Sequence, residues 1–181
     1  MVEKEVDNLT RCVEVKDTDR PYVAILGGLK VSDKIKVIES LLGKCDKIII
    51  GGAMAYTFAK ALGKTTCDSP VEDDQLDYAR TCLAKANGKI VLPVDSVIAD
   101  AFDPAARTTV QTVDGNIPEG FQGLDIGPKT MKLFADEILK AKMVFWNGPM
   151  GVFEQEEFQK GTIAVCEAIA ALSGKAFTVC G

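Results

Sequence analysis

From Tyr22 onward the chain is built of short apolar runs that end in glycine, each followed by an amphipathic stretch. Tyr22-Val23-Ala24-Ile25-Leu26 is continuously apolar and stops at Gly27-Gly28, the pattern of a strand buried on both faces. Val31, Ile35, Ile38 and Leu42 then fall on one helical stripe closed by Gly43. Lys47-Ile48-Ile49-Ile50 repeats the strand pattern into Gly51-Gly52, and Met54, Phe58 and Leu62 predict a second helix ending at Gly63. A third helix is expected after the acidic turn Glu72-Asp73-Asp74, with Leu76, Ala79 and Leu83 buried and Asn87-Gly88 as its stop. Ile90 to Val94 reads as the next strand.

Residues 102–123 break this rhythm. Thr109 to Val113 alternates like a half-exposed strand before the turn pair Asp114-Gly115, which predicts a small β excursion on the surface of the sheet. Leu124-Asp125-Ile126-Gly127 is expected to return to the sheet, with Pro128 opening a helix. Met143 to Trp146 and Ala176 to Cys180 predict the last strands, and Val165, Ile169 and Leu172 the helix between them. Upstream, Val2, Val6 and Leu9 predict a separate helix within residues 1–15, leaving residues 20–181 as the main domain. Strands alternating with helices imply parallel crossovers. The expected fold is α/β, a doubly wound, mostly parallel sheet with helices on both faces.

The composition narrows the chemistry. The 181 residues are 47% hydrophobic, enough for a proper core, and 21 basic against 26 acidic side chains give a net charge of −5. That balance argues against a nucleic-acid or anionic-membrane surface. No histidine is present, which removes Ser-His-Asp and Cys-His nucleophilic machinery and every imidazole metal site. The six cysteines form no CxxC pair. Cys82, Cys166 and Cys180 lie in apolar patterns and are expected to be reduced core thiols of an intracellular chain. No apolar run reaches the ~20 residues that span a bilayer, and residues 1–6 lack a signal-peptide stretch, so a soluble, cytoplasmic protein is expected.

Two segments carry candidate chemistry. In Gly27-Gly28-Leu29-Lys30-Val31-Ser32-Asp33-Lys34, glycines open a turn and Lys30 and Lys34 are expected at i, i+4 on the start of a helix. Helix N-termini favour anions, so two ammonium groups there suit a polyphosphate; the other reading is two solvated surface lysines. The spacing is neither a Walker A loop nor G-x-G-x-x-G. In Trp146-Asn147-Gly148-Pro149-Met150-Gly151-Val152-Phe153-Glu154, a rigid loop offers an amide, an apolar ring and a carboxylate that suit a sugar. Its other reading is a plain turn, with Trp146 in the core and Glu154 in the first turn of a helix. Asp95, Asp100 and Asp103 are read as capping residues in a loop, with a metal site as the alternative. Tyr56 and Phe58 read as core rather than a base-stacking pair, although Tyr56 is close to Gly51-Gly52.

These strings, with Gly51-Gly52-Ala53-Met54-Ala55-Tyr56-Thr57-Phe58, Leu92-Pro93-Val94-Asp95 and Gly123-Leu124-Asp125-Ile126-Gly127-Pro128, occur in an order and spacing that resembles the phosphoglycerate kinase family, specifically its carboxyl-terminal nucleotide-binding domain. The resemblance runs from Met1 to Gly181. It implies a phosphotransferase of glycolysis with a carboxyl group as acceptor, moving a phosphoryl group between 1,3-bisphosphoglycerate and ADP with Mg²⁺. By motif, Lys34 would bind the nucleotide phosphates and Lys30 would act on the group in flight. Gly28, Leu29, Gly52, Ala53 and Tyr56 would wall one side of the adenine, with Gly123, Leu124 and Val152 on the other. Asn147 and Pro149 would hold the α-phosphate and ribose region, and Glu154 the ribose hydroxyls.

The sequence departs from the family pattern at Leu29, usually alanine, and at Ala53, usually glycine; both add bulk beside the base. The family's amino-terminal phosphoglycerate-binding domain has no counterpart here. Nor does the glycine-rich turn with an aspartate that serves the phosphates and Mg²⁺, so no metal ligand is expected within the chain. Met1 aligns inside the helix that joins the family's domains. The expectation is therefore a fragment: the ADP/ATP-binding part of a monomeric parent, inactive alone, with 3-phosphoglycerate held by the absent domain. A non-catalytic nucleotide-binding or interaction module derived from that domain is the alternative.

Overall fold

The computed structural model describes residues 15–180, so the helix expected around Val2, Val6 and Leu9 lies outside the described residues. Eight strands form two sheets. Strands β1 (Tyr22–Leu26), β2 (Lys47–Ile50), β3 (Ile90–Val91), β7 (Met143–Asn147) and β8 (Phe177–Cys180) make a parallel sheet in the order β3-β2-β1-β7-β8. Strands β4 (Asp95–Ala99), β5 (Val110–Asp114) and β6 (Gln122–Ile126) make an antiparallel sheet in the order β5-β4-β6. Helices α1 (Ile35–Leu42), α2 (Met54–Ala61), α3 (Leu76–Ala86), α4 (Pro128–Leu139) and α5 (Lys160–Ala170) connect them.

The pleat explains why β1 is apolar at every position. Tyr22, Ala24 and Leu26 join one core with Ile38 of α1, Met54 and Phe58 of α2 and Cys82 of α3. Val23 and Ile25 join the opposite core with Phe134 and Ile138 of α4 and Val165 and Ile169 of α5. All five residues of β1 are at most 1% exposed, and the two cores are the two faces of a doubly wound sheet. The chain steps outward from β1 to β2 to β3, then returns to lay β7 on the other flank of β1. The strand order therefore reverses between β1 and β7, and a ligand crevice belongs outside the carboxyl ends of those strands.

Several expectations change. The α1 helix starts at Ile35; Lys30 and Lys34 lie before it, in a turn where the Lys34 amide donates to the Val31 carbonyl at 2.9 Å. Leu62 is 56% exposed because α2 ends at Ala61 and the stripe does not continue past it. The strand after α3 stops at Val91. Pro93, which has no N–H to give a ladder, separates it from β4, where Asp95 sits in a strand instead of a loop. The excursion expected on the surface of the sheet is a separate three-stranded sheet spanning residues 95–126. Leu124 to Ile126 belong to that sheet rather than the main one, and β4 lies between β5 and β6, so Asp114-Gly115 does not join neighbouring strands.

Cys45 and Cys82 are buried, whereas Cys67, Cys166 and Cys180 are exposed. Cys180 falls on the outward side of the edge strand β8, whose residues alternate between partly buried and exposed. Among the described residues, no helix is long and apolar enough to cross a membrane.

Candidate functional site

Three strand ends meet at the point where the order reverses. The Gly27 amide donates to the Asn147 carbonyl at 2.8 Å, Gly28 to Pro149 at 3.2 Å, Gly51 to Leu26 at 2.8 Å and Gly52 to Met150 at 3.1 Å. The turns after β1, β2 and β7 are thus stitched together by main chain. Gly52 has φ +69°, and a Cβ there would meet Gly28 N at 2.6 Å, Gly28 O at 2.7 Å and Pro149 O at 2.9 Å. Only glycine fits both that conformation and that space.

A cleft of about 360 Å³ opens on this junction, within the size range of small-molecule sites. It is lined by Gly28, Gly52, Ala53, Tyr56 and Pro149, by Gly123 and Leu124 of β6, and by Val152 and Glu154 of the 150–154 loop. Leu29 also lines it. The second sheet therefore has a role in the site. It supplies the β6 wall, which packs on α2 through Tyr56, Ile98 and Ile117, and on the far loop through Leu124, Val152 and Phe158. The Val152 amide donates to the Leu124 carbonyl at 2.9 Å, joining the 150–154 loop to β6.

Lys34 and Asn147 stand outside the lining but together: the Lys34 ammonium donates to the Asn147 side-chain oxygen. They are 113 positions apart in sequence, and the pairing of β1 with β7 puts Leu26 opposite Asn147. A Cβ on Gly28 would lie 3.9 Å from Lys34 Cε, so this ammonium flanks the Gly28 end of the cleft. Lys30 is exposed on the same turn. The helix expected to carry the two lysines begins only after them, at Ile35. Trp146 is only partly buried, and its indole N–H donates to Gly148 O at 2.7 Å, bracing the loop. Glu154 is exposed in the loop before α5 rather than in a helix's first turn.

Tyr56 is both wall and core. Its hydroxyl donates to Ser96 Oγ at 3.5 Å, and burial pushes its pKa up to about 12, so it stays protonated. Asp125, next to Leu124, accepts from the Gly161 amide at 2.9 Å and from the Ile126 amide at 2.8 Å. Burial nevertheless raises its pKa to about 6. It ties β6 to the start of α5, and a Cβ on Gly151 would sit 2.5 Å from its oxygen.

Among the described residues, no group of three or more His, Cys, Asp or Glu side chains is placed to hold a metal. Asp95 is 2% exposed and caps α4, accepting from Lys129 N at 2.9 Å and Thr130 N at 2.8 Å. Asp100 accepts from Thr108 and Thr109, which holds its pKa down to about 2, and Asp103 accepts from Ala105 N at 2.9 Å. All three are occupied by local hydrogen bonds. The described residues therefore offer no cage of three such side chains for a divalent ion.

Sequence reasoning missed Phe102, Phe153 and Gln122 in the lining. Leu29, Phe102 and Phe153 are 58%, 53% and 46% exposed, and all three border this one cleft. Large apolar side chains gathered at one mouth are the mark of a ligand surface. Scattered through the sequence, they give no such signal.

The family model described as phosphoglycerate kinase matches residues 1–181. Among relatives, the phosphoglycerate kinase of Latilactobacillus sakei is 52% identical over 181 residues, covering 100% of this chain and 44% of that protein. That of Fusobacterium nucleatum is 57% identical over 181 residues, again covering 100% of this chain and 44% of that protein. Among solved structures, phosphoglycerate kinase from Coxiella burnetii superposes with a TM-score of 0.91 at 36% identity, over 99% of this chain and 46% of that one. The chain spans less than half the length of these relatives.

Proposed function

The chain belongs to the phosphoglycerate kinase family, and from that premise we propose that its switch-point cleft holds ADP or ATP for phosphoryl transfer with 1,3-bisphosphoglycerate and 3-phosphoglycerate in the cytoplasm. One observation carries this reading: a largely apolar cleft of nucleoside size opens where three glycine turns meet, with Lys34 and Asn147 paired at one end of it. The adenine lies between the Gly52-Ala53-Tyr56 side and the Leu124-Val152 side. Glu154 accepts from the ribose hydroxyls, and Asn147 and Pro149 flank the α-phosphate. Lys34 meets the phosphates, exchanging its contact with Asn147 for charge-assisted bonds. The added bulk of Leu29 and Ala53 falls on the cleft lining, where it extends apolar contact with the base.

The chemistry asked of these residues is positioning and charge neutralisation. A β-phosphate oxygen of ADP attacks the acyl phosphate, the bond from phosphorus to the acyl oxygen breaks, and 3-phosphoglycerate leaves as a carboxylate. The attacking group is already an oxyanion and the leaving group needs no proton, so a chain without histidine suffices. Lys30 neutralises charge on the group in transit. Mg²⁺ would accompany the nucleotide phosphates and neutralise their charge, and the described residues offer it no ligand cluster of their own. The acyl substrate is held by parts of the family's enzymes that this chain does not span. Calorimetric titration tests the reading: ADP should bind one site per chain, and Gly123→Val, whose Cβ would lie 2.0 Å from the Tyr56 hydroxyl and so displace that ring from the cleft wall, should lose it. Equal ADP binding by Gly123→Val, with its fold intact, would place the ligand elsewhere.

A further inference from the structure

Arg107 lies in the connection from β4 to β5, outside every motif of the cleft, yet its side chain is only 5% exposed. Each of its three guanidinium nitrogens is engaged. Nε donates to Ala101 O at 3.3 Å and Nη2 to Phe102 O at 2.9 Å, on its own loop. Nη1 reaches Glu157 Oε2 at 3.0 Å, Nη2 also reaches Gln155 Oε1, and the cation stacks over the Phe158 ring at 4.5 Å from its centroid. From the other side Gln155 Nε2 donates to the same Phe102 carbonyl at 3.2 Å. Asp100 closes the base of the loop through Thr108 and Thr109.

The two segments joined here carry the two exposed phenylalanines that line the cleft. Phe102 comes from one and Phe153, two residues before Gln155, from the other. We propose that Arg107 is a positioning residue: it latches the Phe102 loop onto the 155–158 segment and so holds the aromatic edge of the cleft in place for the base of a nucleotide. This rests on the nucleotide reading above and adds a specific consequence. Arg107 governs affinity for the base-bearing ligand and not for the phosphates, which sit at the Lys34 end. A planar fork is suited to this, because it serves two carbonyls and two side chains at fixed angles while its face stays free to stack. Without it the Phe102 loop must be ordered at the moment of binding, and ordering a side chain of this size costs affinity.

The test measures calorimetric affinities of the 181-residue chain for ADP and for inorganic tripolyphosphate. Arg107→Met keeps the apolar stem over Phe158 and removes the fork. It is expected to weaken ADP by about twofold to tenfold and to leave tripolyphosphate unchanged. In a Phe102→Ala background, the same substitution should have no further effect on ADP, because what Arg107 positions is gone. Should Arg107→Met lose its near-ultraviolet dichroism, Gln155→Leu takes its place, with the same selective loss expected. Equal weakening of both ligands, unchanged ADP affinity, or a loss that persists undiminished without Phe102 would overturn the proposal. Absence of ADP binding by the unsubstituted chain would instead overturn the nucleotide reading itself, and this proposal with it.

Discussion

Gly52→Ala tests whether the junction of three turns is as tight as its geometry requires. The substitution adds one methyl group at φ +69°, 2.6 Å from Gly28 N and 2.7 Å from Gly28 O. Two costs follow. Alanine in the left-handed region costs roughly 1–2 kcal/mol. The contacts are with backbone that is itself hydrogen-bonded, Gly28 N to Pro149 O in the loop after β7 and Gly28 O to Met54 N at the start of α2, so relief needs movement of whole turns, an overpacking cost of about 1–3 kcal/mol. The sum, about 2–5 kcal/mol, is a large share of the ~5–15 kcal/mol by which domains are stable. At roughly 2–4 °C per kcal/mol for a chain of this size, Tm should fall by about 4–20 °C. Gly63→Ala is the control. Gly63 has φ +88° but nothing within 4 Å, so it carries the dihedral cost alone. Thermal melts followed by circular dichroism at 222 nm compare the two. Equal Tm losses would mean that the turns do not pack as described, and a Gly52→Ala loss under about 2 °C would refute the steric argument outright.

Lys34→Ala should weaken ADP by about one to two decades, since charge-assisted hydrogen bonds contribute roughly 1.5–3 kcal/mol; unchanged calorimetric affinity would return Lys34 to the solvated surface. Asp125 gives a pH dependence of known sign. Its folded pKa, about 6, lies above its ordinary 3.8, so the folded state binds the extra proton between those values. Its contribution to stability is present in full below pH 4 and lost as pH rises through 6. Urea midpoints from pH 4 to 7 should therefore fall more steeply for the parent chain than for Asp125→Asn; parallel curves would contradict the assignment. Finally, the 181-residue chain given 3-phosphoglycerate and ATP should show no turnover in a coupled assay, and activity above a protein-free blank would refute this.

The main sheet was legible because burial on both faces leaves a mark on the sequence. Tyr22 to Leu26 and Ile48 to Ile50 are apolar at successive positions since alternate side chains enter different cores. Sheet membership leaves no such mark. Leu124 to Ile126 look like any buried strand, and only the tertiary structure assigns them to β6 beside β4. Strand β4 was hidden by Asp95, whose carboxylate is paid for by the amides of α4, a partner 34 positions away. The start of α1 was misplaced because Val31 is buried in a turn while keeping the helical stripe.

At the site, local motifs pointed to the glycine turns and the 146–154 loop because those features depend on neighbouring residues. The meeting of Lys34 with Asn147 follows from β7 returning to the flank of β1, which spacing alone does not reveal. Arg107 was invisible for the same reason. In sequence it is one charge in a polar loop, and its burial comes from Gln155, Glu157 and Phe158, about fifty positions on.

Amide chemical shifts followed through an ADP titration report whether the cleft at the ends of β1, β2 and β7 receives an adenine nucleotide. If it does, saturable changes concentrate at Gly28-Leu29, Gly52-Ala53, Gly123-Leu124 and Val152 to Glu154. A spectrum that does not move at millimolar ADP, or shifts centred on residues away from this cleft, would contradict it.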